Sequence, residues 1–111
     1  MSWPLDQIEA LRRLCDSLAE AEECGTRYLL LRGLRLPDGC QPASVDALLC
    51  PTGRDGYASR LFFAEQVPTK QPRNWNGTVR ILERTWHGMS WKVQPGLDLV
   101  AMLGSHLRAL V

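Results

Sequence analysis

At 111 residues the chain has the length of one ordinary domain, and two independent cores would leave each half near the lower limit for folding alone. Its 45% hydrophobic and 23% charged residues exclude a disordered chain, and 13 basic against 12 acidic side chains exclude a field that draws the whole molecule to nucleic acid or anionic lipid. A single domain over residues 1–111 is expected, with no apolar run approaching the ~20 residues that span a bilayer.

The amino-terminal segment, Met1-Ser2-Trp3-Pro4-Leu5-Asp6, has neither the basic head nor the apolar stretch of a secretory leader, which points to the cytoplasm. Leu5, Ile8, Leu11, Cys15 and Leu18 then recur at spacings of three and four, the mark of one buried helical stripe. Pro4 suits a first helical turn and Gly25 a left-handed cap, so the spacing predicts a helix from Pro4 to Glu23.

Thr26 to Leu36 is a strand candidate, closed by the turn sequence Pro37-Asp38-Gly39. Ser44 to Leu49 alternates Val45, Ala47 and Leu49 with Ser44, Asp46 and Leu48, and Tyr57 to Val67 carries Leu61, Phe62 and Phe63. The connections are too short for crossover helices, which predicts an antiparallel meander. Pro68 to Asn74 reads as a surface loop, Asn76-Gly77 as a turn, and Thr78 to Leu82 as a fourth strand. Trp86 to Trp91 reads as a loop rich in large side chains. Leu99, Met102, Leu103, His106 and Leu110 share one face of a final helix over Leu97 to Leu110, with Asp98 and Arg108 placed to suit its macrodipole. The expected fold class is therefore α+β: an N-terminal helix, a four-stranded antiparallel meander and a C-terminal helix.

Cys15, Cys24, Cys40 and Cys50 lack the close spacing of metal knuckles, so neither a metal site nor a cofactor is expected and the thiols read as reduced. Cys50 ends a strand with Arg54 as the one nearby cation, which suits a structural cysteine better than a reactive one. His87, between Trp86 and Gly88, has the chemistry of a general base, against the plainer role of bonding a backbone carbonyl and fixing its loop. Trp75, Trp86 and Trp91 either brace that loop or, where exposed, mark a binding surface. Arg73, Arg80, Arg84 and Lys92 are scattered among them with Glu83, the pattern of a solvated face more than of a nucleic-acid site.

Four stretches carry a resemblance. They are Leu31-Arg32-Gly33-Leu34-Arg35-Leu36-Pro37-Asp38-Gly39; Val45 to Pro51 with Gly56-Tyr57; Asn76-Gly77-Thr78-Val79-Arg80-Ile81; and Trp86 to Trp91 followed by Gln94-Pro95-Gly96-Leu97-Asp98. In this order, from about Tyr28 to Val111, the chain resembles the ubiquitin-conjugating-enzyme family, and in particular the short bacterial members found in ubiquitin-like conjugation operons. The resemblance implies a UBC-like fold and, as partners, an activating-enzyme-like protein, a ubiquitin-like protein, or both. It also implies a thioester-forming cysteine beside the Asn76-Gly77 turn, where this chain has Arg80 and no cysteine follows Cys50. The family's His-Pro-Asn tripeptide is absent; Arg73-Asn74-Trp75-Asn76 stands in its neighbourhood, with Asn74 as a candidate oxyanion donor. Arginine stays protonated and cannot attack a carbonyl, so the expected function is that of a non-catalytic binding or adaptor member, a pseudoenzyme. The binding residues would be Trp75, Arg80, Trp86, His87 and Trp91. The alternatives are an active conjugating enzyme with a relocated cysteine, Cys50 or Cys40, and a small nucleic-acid-binding module.

Overall fold

The computed structural model describes residues 3–111; Met1 and Ser2, the head of the segment read above for a leader, lie outside the described residues. The chain forms α1 (Leu5–Arg12), β1 (Ser17–Glu23), β2 (Thr26–Arg35), β3 (Ser44–Cys50), β4 (Arg60–Phe63), β5 (Gly77–Ile81), β6 (Arg84–Gly88) and α2 (Leu99–Leu107), which tightens into a 3-10 turn over Arg108–Leu110. The strands make one antiparallel sheet of six in the order β1-β2-β3-β4-β6-β5, curled into a half-barrel. Among the described residues no helix is long and apolar enough to cross a membrane.

This corrects the expected UBC-like arrangement of an N-terminal helix, a four-stranded meander and a C-terminal helix: the described residues are mostly sheet, and the two α-helices are short. The largest departure is at the N-terminus, where the helix read from Pro4 to Glu23 stops at Arg12 and Ser17–Glu23 becomes an edge strand. Leu, Ala and Glu favour a helix there, but intrinsic preference is a weak force beside the pairing of a neighbouring strand. β1 pairs with β2 from Ser17 opposite Arg32 to Glu23 opposite Thr26, which satisfies backbone groups of β2 that would otherwise form an open edge. Cys24 and Gly25 make the connection with φ of 51° and 80°, and two successive positive φ values are what a tight two-residue hairpin needs. Gly25 is thus a turn residue and not a helix cap.

A second departure lies in the other edge. Asn76-Gly77 is not a hairpin turn; Gly77 opens β5, and the turn falls at Leu82-Glu83, with φ of 54° and 63°. Trp86 and His87, read as loop residues, belong to β6. β4 is confined to Arg60–Phe63, shorter than the stretch Tyr57 to Val67 read from its apolar residues. The C-terminal helix spans less than Leu97 to Leu110, because Asp98 is its N-cap and accepts from the Ala101 amide at 2.8 Å.

The two faces of the sheet hold two cores. One, with Leu29, Leu31, Leu49, Leu61 and Phe63, packs against Ile8 and Leu11 of α1 and Leu99, Met102 and Leu103 of α2. The Leu99 amide donates to Gln7 Oε1 at 3.0 Å, which ties the start of α2 to α1. The other core, Tyr28, Leu48, Cys50, Phe62, Ile81 and Trp86, fills the concave side. The curl is tight enough that the Leu82 amide donates to Glu23 Oε1 at 3.1 Å, joining the hairpins at the two opposite edges. Trp86 donates its indole N–H to the Ile81 carbonyl at 3.0 Å, so the largest buried side chain of this core leaves no polar atom unpaired.

One irregularity bends β2. Its register against β3 shifts between Leu31 and Leu34, where Gly33 has φ 63°. A Cβ on Gly33 would meet only the exposed Asp16 side chain, which can turn away, so it is the positive φ that calls for glycine there. The Gly33 amide and Arg84 both donate to Asp46, at 2.8 Å and 3.0 Å. Partial burial alone would raise the Asp46 pKa, but these two donors outweigh it and hold the carboxyl below its ordinary value.

Candidate functional site

Three segments far apart in sequence meet around one buried arginine. Arg60 opens β4 and is only 6% exposed. Its guanidinium lies over the rings of Tyr57 and Phe62, 4.5 Å and 4.9 Å from their centroids. It donates to Asp55 Oδ2 at 3.2 Å and to the Met89 carbonyl at 3.1 Å. The space it fills exists because Gly88, opposite Gly77 in the β5–β6 pair, has no side chain.

Asp55 is delivered by a tight turn in which Arg54 and Tyr57 exchange backbone hydrogen bonds at 3.1 Å and 3.0 Å, with Asp55 itself at φ 57°. The same turn lifts Tyr57 to the surface, where its hydroxyl lies 3.1 Å from Ser90 Oγ. Hydrogen bonds from Ser90 and then Asn76, reinforced by the charges of Arg60 and Lys92, hold the Tyr57 phenol below its ordinary pKa. The Gly56-Tyr57 turn, the Asn76-Gly77 step and the segment after β6 therefore converge on one face. Beside it opens a groove of about 310 Å³ between Gly56-Tyr57-Ala58 and Lys92-Val93-Gln94-Pro95.

The residues singled out from the sequence are distributed as follows. Asn74 is exposed and contributes its carbonyl, which accepts from the Ser90 amide at 2.8 Å. Trp75 is half-buried, edge-on to Phe63 at 5.8 Å, and Trp91 is half-buried with its indole N–H on the Ser105 carbonyl and Arg73 over its ring. Trp86 is buried in the concave core. His87 is half-buried on β6 beside Phe63 and Thr78, and its Nδ1 is buried without a hydrogen-bond partner among the described residues. Arg80 is exposed on β5, where it donates to the Glu83 carbonyl at 2.9 Å and braces the Leu82-Glu83 turn.

The thiols are mostly withdrawn from solvent. Cys15, Cys40 and Cys50 are buried, and Cys24, in the β1–β2 turn, is exposed. Cys50 donates to the Gly53 carbonyl at 3.3 Å, and burial, outweighing that bond and the Arg54 charge, pushes its pKa up. Burial likewise raises the Cys15 thiol, whose Sγ donates to the Leu11 carbonyl. Among the described residues no cluster of His, Cys, Asp and Glu has the arrangement of a metal site.

His106 and Ser59 form a buried pair, Nε2 to Oγ at 2.8 Å, with a cavity of about 10 Å³ beside them bounded by Arg60, Leu61, Phe63, Met89 and Trp91. That space holds at most one water, so this serine–histidine contact has no room for a substrate and serves packing. Burial, assisted by the Arg60 charge, pushes the His106 pKa down to about 4 and keeps the ring neutral.

Sequence reasoning missed Arg60, Asp55 and Ser90. The available signal was Arg60 itself, a charge at the head of the apolar run Leu61-Phe62-Phe63, which in a buried strand must find a carboxylate and ring faces. Comparison of the chain with protein-family models, with curated proteins and with solved structures finds no match.

Proposed function

We propose that this chain is a non-catalytic binding module of a ubiquitin-like conjugation pathway, docking an activating-enzyme-like protein, a ubiquitin-like protein, or both, in the cytoplasm. The pathway rests on the sequence resemblance of the stretches around Tyr57, Asn76 and Trp86. The observation that carries the non-catalytic reading is the state of the thiols. Three of the four are buried, and Cys24 sits in the hairpin turn between β1 and β2. Thioester transfer needs a thiolate within about 3–3.5 Å of the incoming carbonyl and beside an oxyanion donor. Cys50 meets neither demand, since its sulfur is enclosed and its pKa is raised by burial. Arg80, at the place where the resemblance calls for a cysteine, is engaged with the Glu83 carbonyl.

The test mixes the purified chain with ATP and with an activating enzyme and a ubiquitin-like protein of a bacterial conjugation operon, followed by non-reducing gels, intact mass and calorimetric titration. Binding without a reductant-sensitive adduct is the expected result. An adduct lost in Cys50→Ser or Cys40→Ser would replace the binding role with an enzymatic one, and neither adduct nor binding would remove the pathway reading.

A further inference from the structure

The groove beside Tyr57 combines three properties. Its walls are apolar at the Tyr57 ring, Ala58, Val93 and Pro95, and Lys92 stands on its rim. Lys92 is exposed and takes part in no ion pair among the described residues, whereas Asp55, the residue before the groove's Gly56, is already engaged by Arg54 and Arg60. The backbone of Lys92, Val93 and Gln94 makes no hydrogen bond to another backbone group among the described residues, so it is not committed to the sheet. The charges placed around Tyr57 sum to the same sign: Arg54, Arg60 and Lys92 stand against Asp55.

We propose that this groove docks an extended acidic segment of a partner protein. The segment's backbone would run along Lys92–Gln94, its carboxylates toward Lys92 and the Tyr57–Ser90 hydroxyl pair, and its alternate side chains against Val93, Pro95 and the Tyr57 ring. Extended chains present alternate side chains to opposite sides, which matches a groove apolar on one wall and cationic on its rim. Tyr57 is a rigid wall, because Arg60 lies under its ring and Ser90 holds its hydroxyl. Charge complementarity selects an acidic partner over a basic one and makes association depend on salt. The inference rests on the binding role proposed above for the existence of a protein partner, and it adds that partner's chemistry and its site.

The experiment titrates the full chain, labelled with ¹⁵N, with a short peptide alternating glutamate and leucine, and with versions carrying glutamine or lysine in place of glutamate. Expected are amide shifts concentrated at Gly56–Ala58 and Lys92–Gln94 for the glutamate peptide, weakening with salt, and about tenfold weaker binding in Lys92→Glu. Lys92 is exposed, and Lys92→Met, which keeps most of the length of the stem and removes the charge, provides a second variant with an intermediate loss. Equal binding of the glutamine peptide, shifts elsewhere on the surface, or no binding of the glutamate peptide would each overturn the inference. Peptide binding in the groove together with no affinity for the conjugation proteins would leave the inference standing and remove the pathway reading; affinity for those proteins with an inert groove would do the reverse.

Discussion

The Arg60 guanidinium occupies the volume that a side chain at residue 88 would need: a Cβ on Gly88 would stand 2.7 Å from Arg60 Nη2 and 3.0 Å from the Phe62 ring. Gly88→Ala should therefore destabilise by about 1–3 kcal/mol through overpacking, read from the midpoint of a denaturant titration. Arg60→Met in the same chain should recover part of the loss, because two residues in contact couple by roughly 0.5–3 kcal/mol. Strict additivity of the two changes would show that the arginine is not what the alanine meets.

His106 makes stability depend on pH in one direction. Its pKa falls from the ordinary 6.5 to about 4 on folding, so the unfolded chain takes up the proton first. The stability it contributes is complete above pH 6.5 and is lost as pH falls toward 4, by roughly 3 kcal/mol at about 1.4 kcal/mol for each pH unit. Asp46, whose pKa is lowered from 3.8, loses its contribution only below that value, which separates the two effects. Urea titrations at stepped pH should show the decline between 6.5 and 4, and His106→Gln should flatten it; an unchanged slope in that variant would exclude His106 as the source.

The thiols should sort into one fast and three slow. Cys24 is exposed, and Cys15, Cys40 and Cys50 are buried. A chromogenic disulfide reagent should label a single thiol in the native protein and all of them in denaturant, with Cys24→Ser abolishing the rapid phase. Rapid native labelling in Cys24→Ser would place a second thiol at the surface.

Glu83 is an exposed non-glycine residue at φ 63°, in the turn that carries β5 into β6. Glycine relieves the left-handed strain there while leaving the Glu83 carbonyl free to accept from Arg80. Glu83→Gly should stabilise by about 0.5–1 kcal/mol, measured by the thermal midpoint; a lower midpoint would mean that the glutamate side chain makes a contact worth more than the strain.

The elements legible in the sequence were those whose own residues settle the matter. Leu99, Met102, Leu103 and His106 are buried at helical spacing, and the apolar runs of β2, β3 and β4 pair with one another across short connections. Ser17–Glu23 was not legible, since Leu18 fits a helical stripe and an alternating strand equally well and helix-favouring alanine and glutamate surround it; only the open edge of β2 decided for the strand. Both two-residue hairpins escaped notice because Cys24-Gly25 and Leu82-Glu83 lack the asparagine–glycine signature, while Asn76-Gly77, which has it, starts a strand. The candidate site follows the same division. Composition alone determined that the stretch from Val67 to Leu97 is basic and that no cysteine follows Cys50. That Tyr57, Asn76 and Ser90 share a face, with Asp55 and Arg60 beneath, was decided by the tertiary structure, because a buried guanidinium must gather its carboxylate, its carbonyl and its ring faces from wherever in the chain they lie.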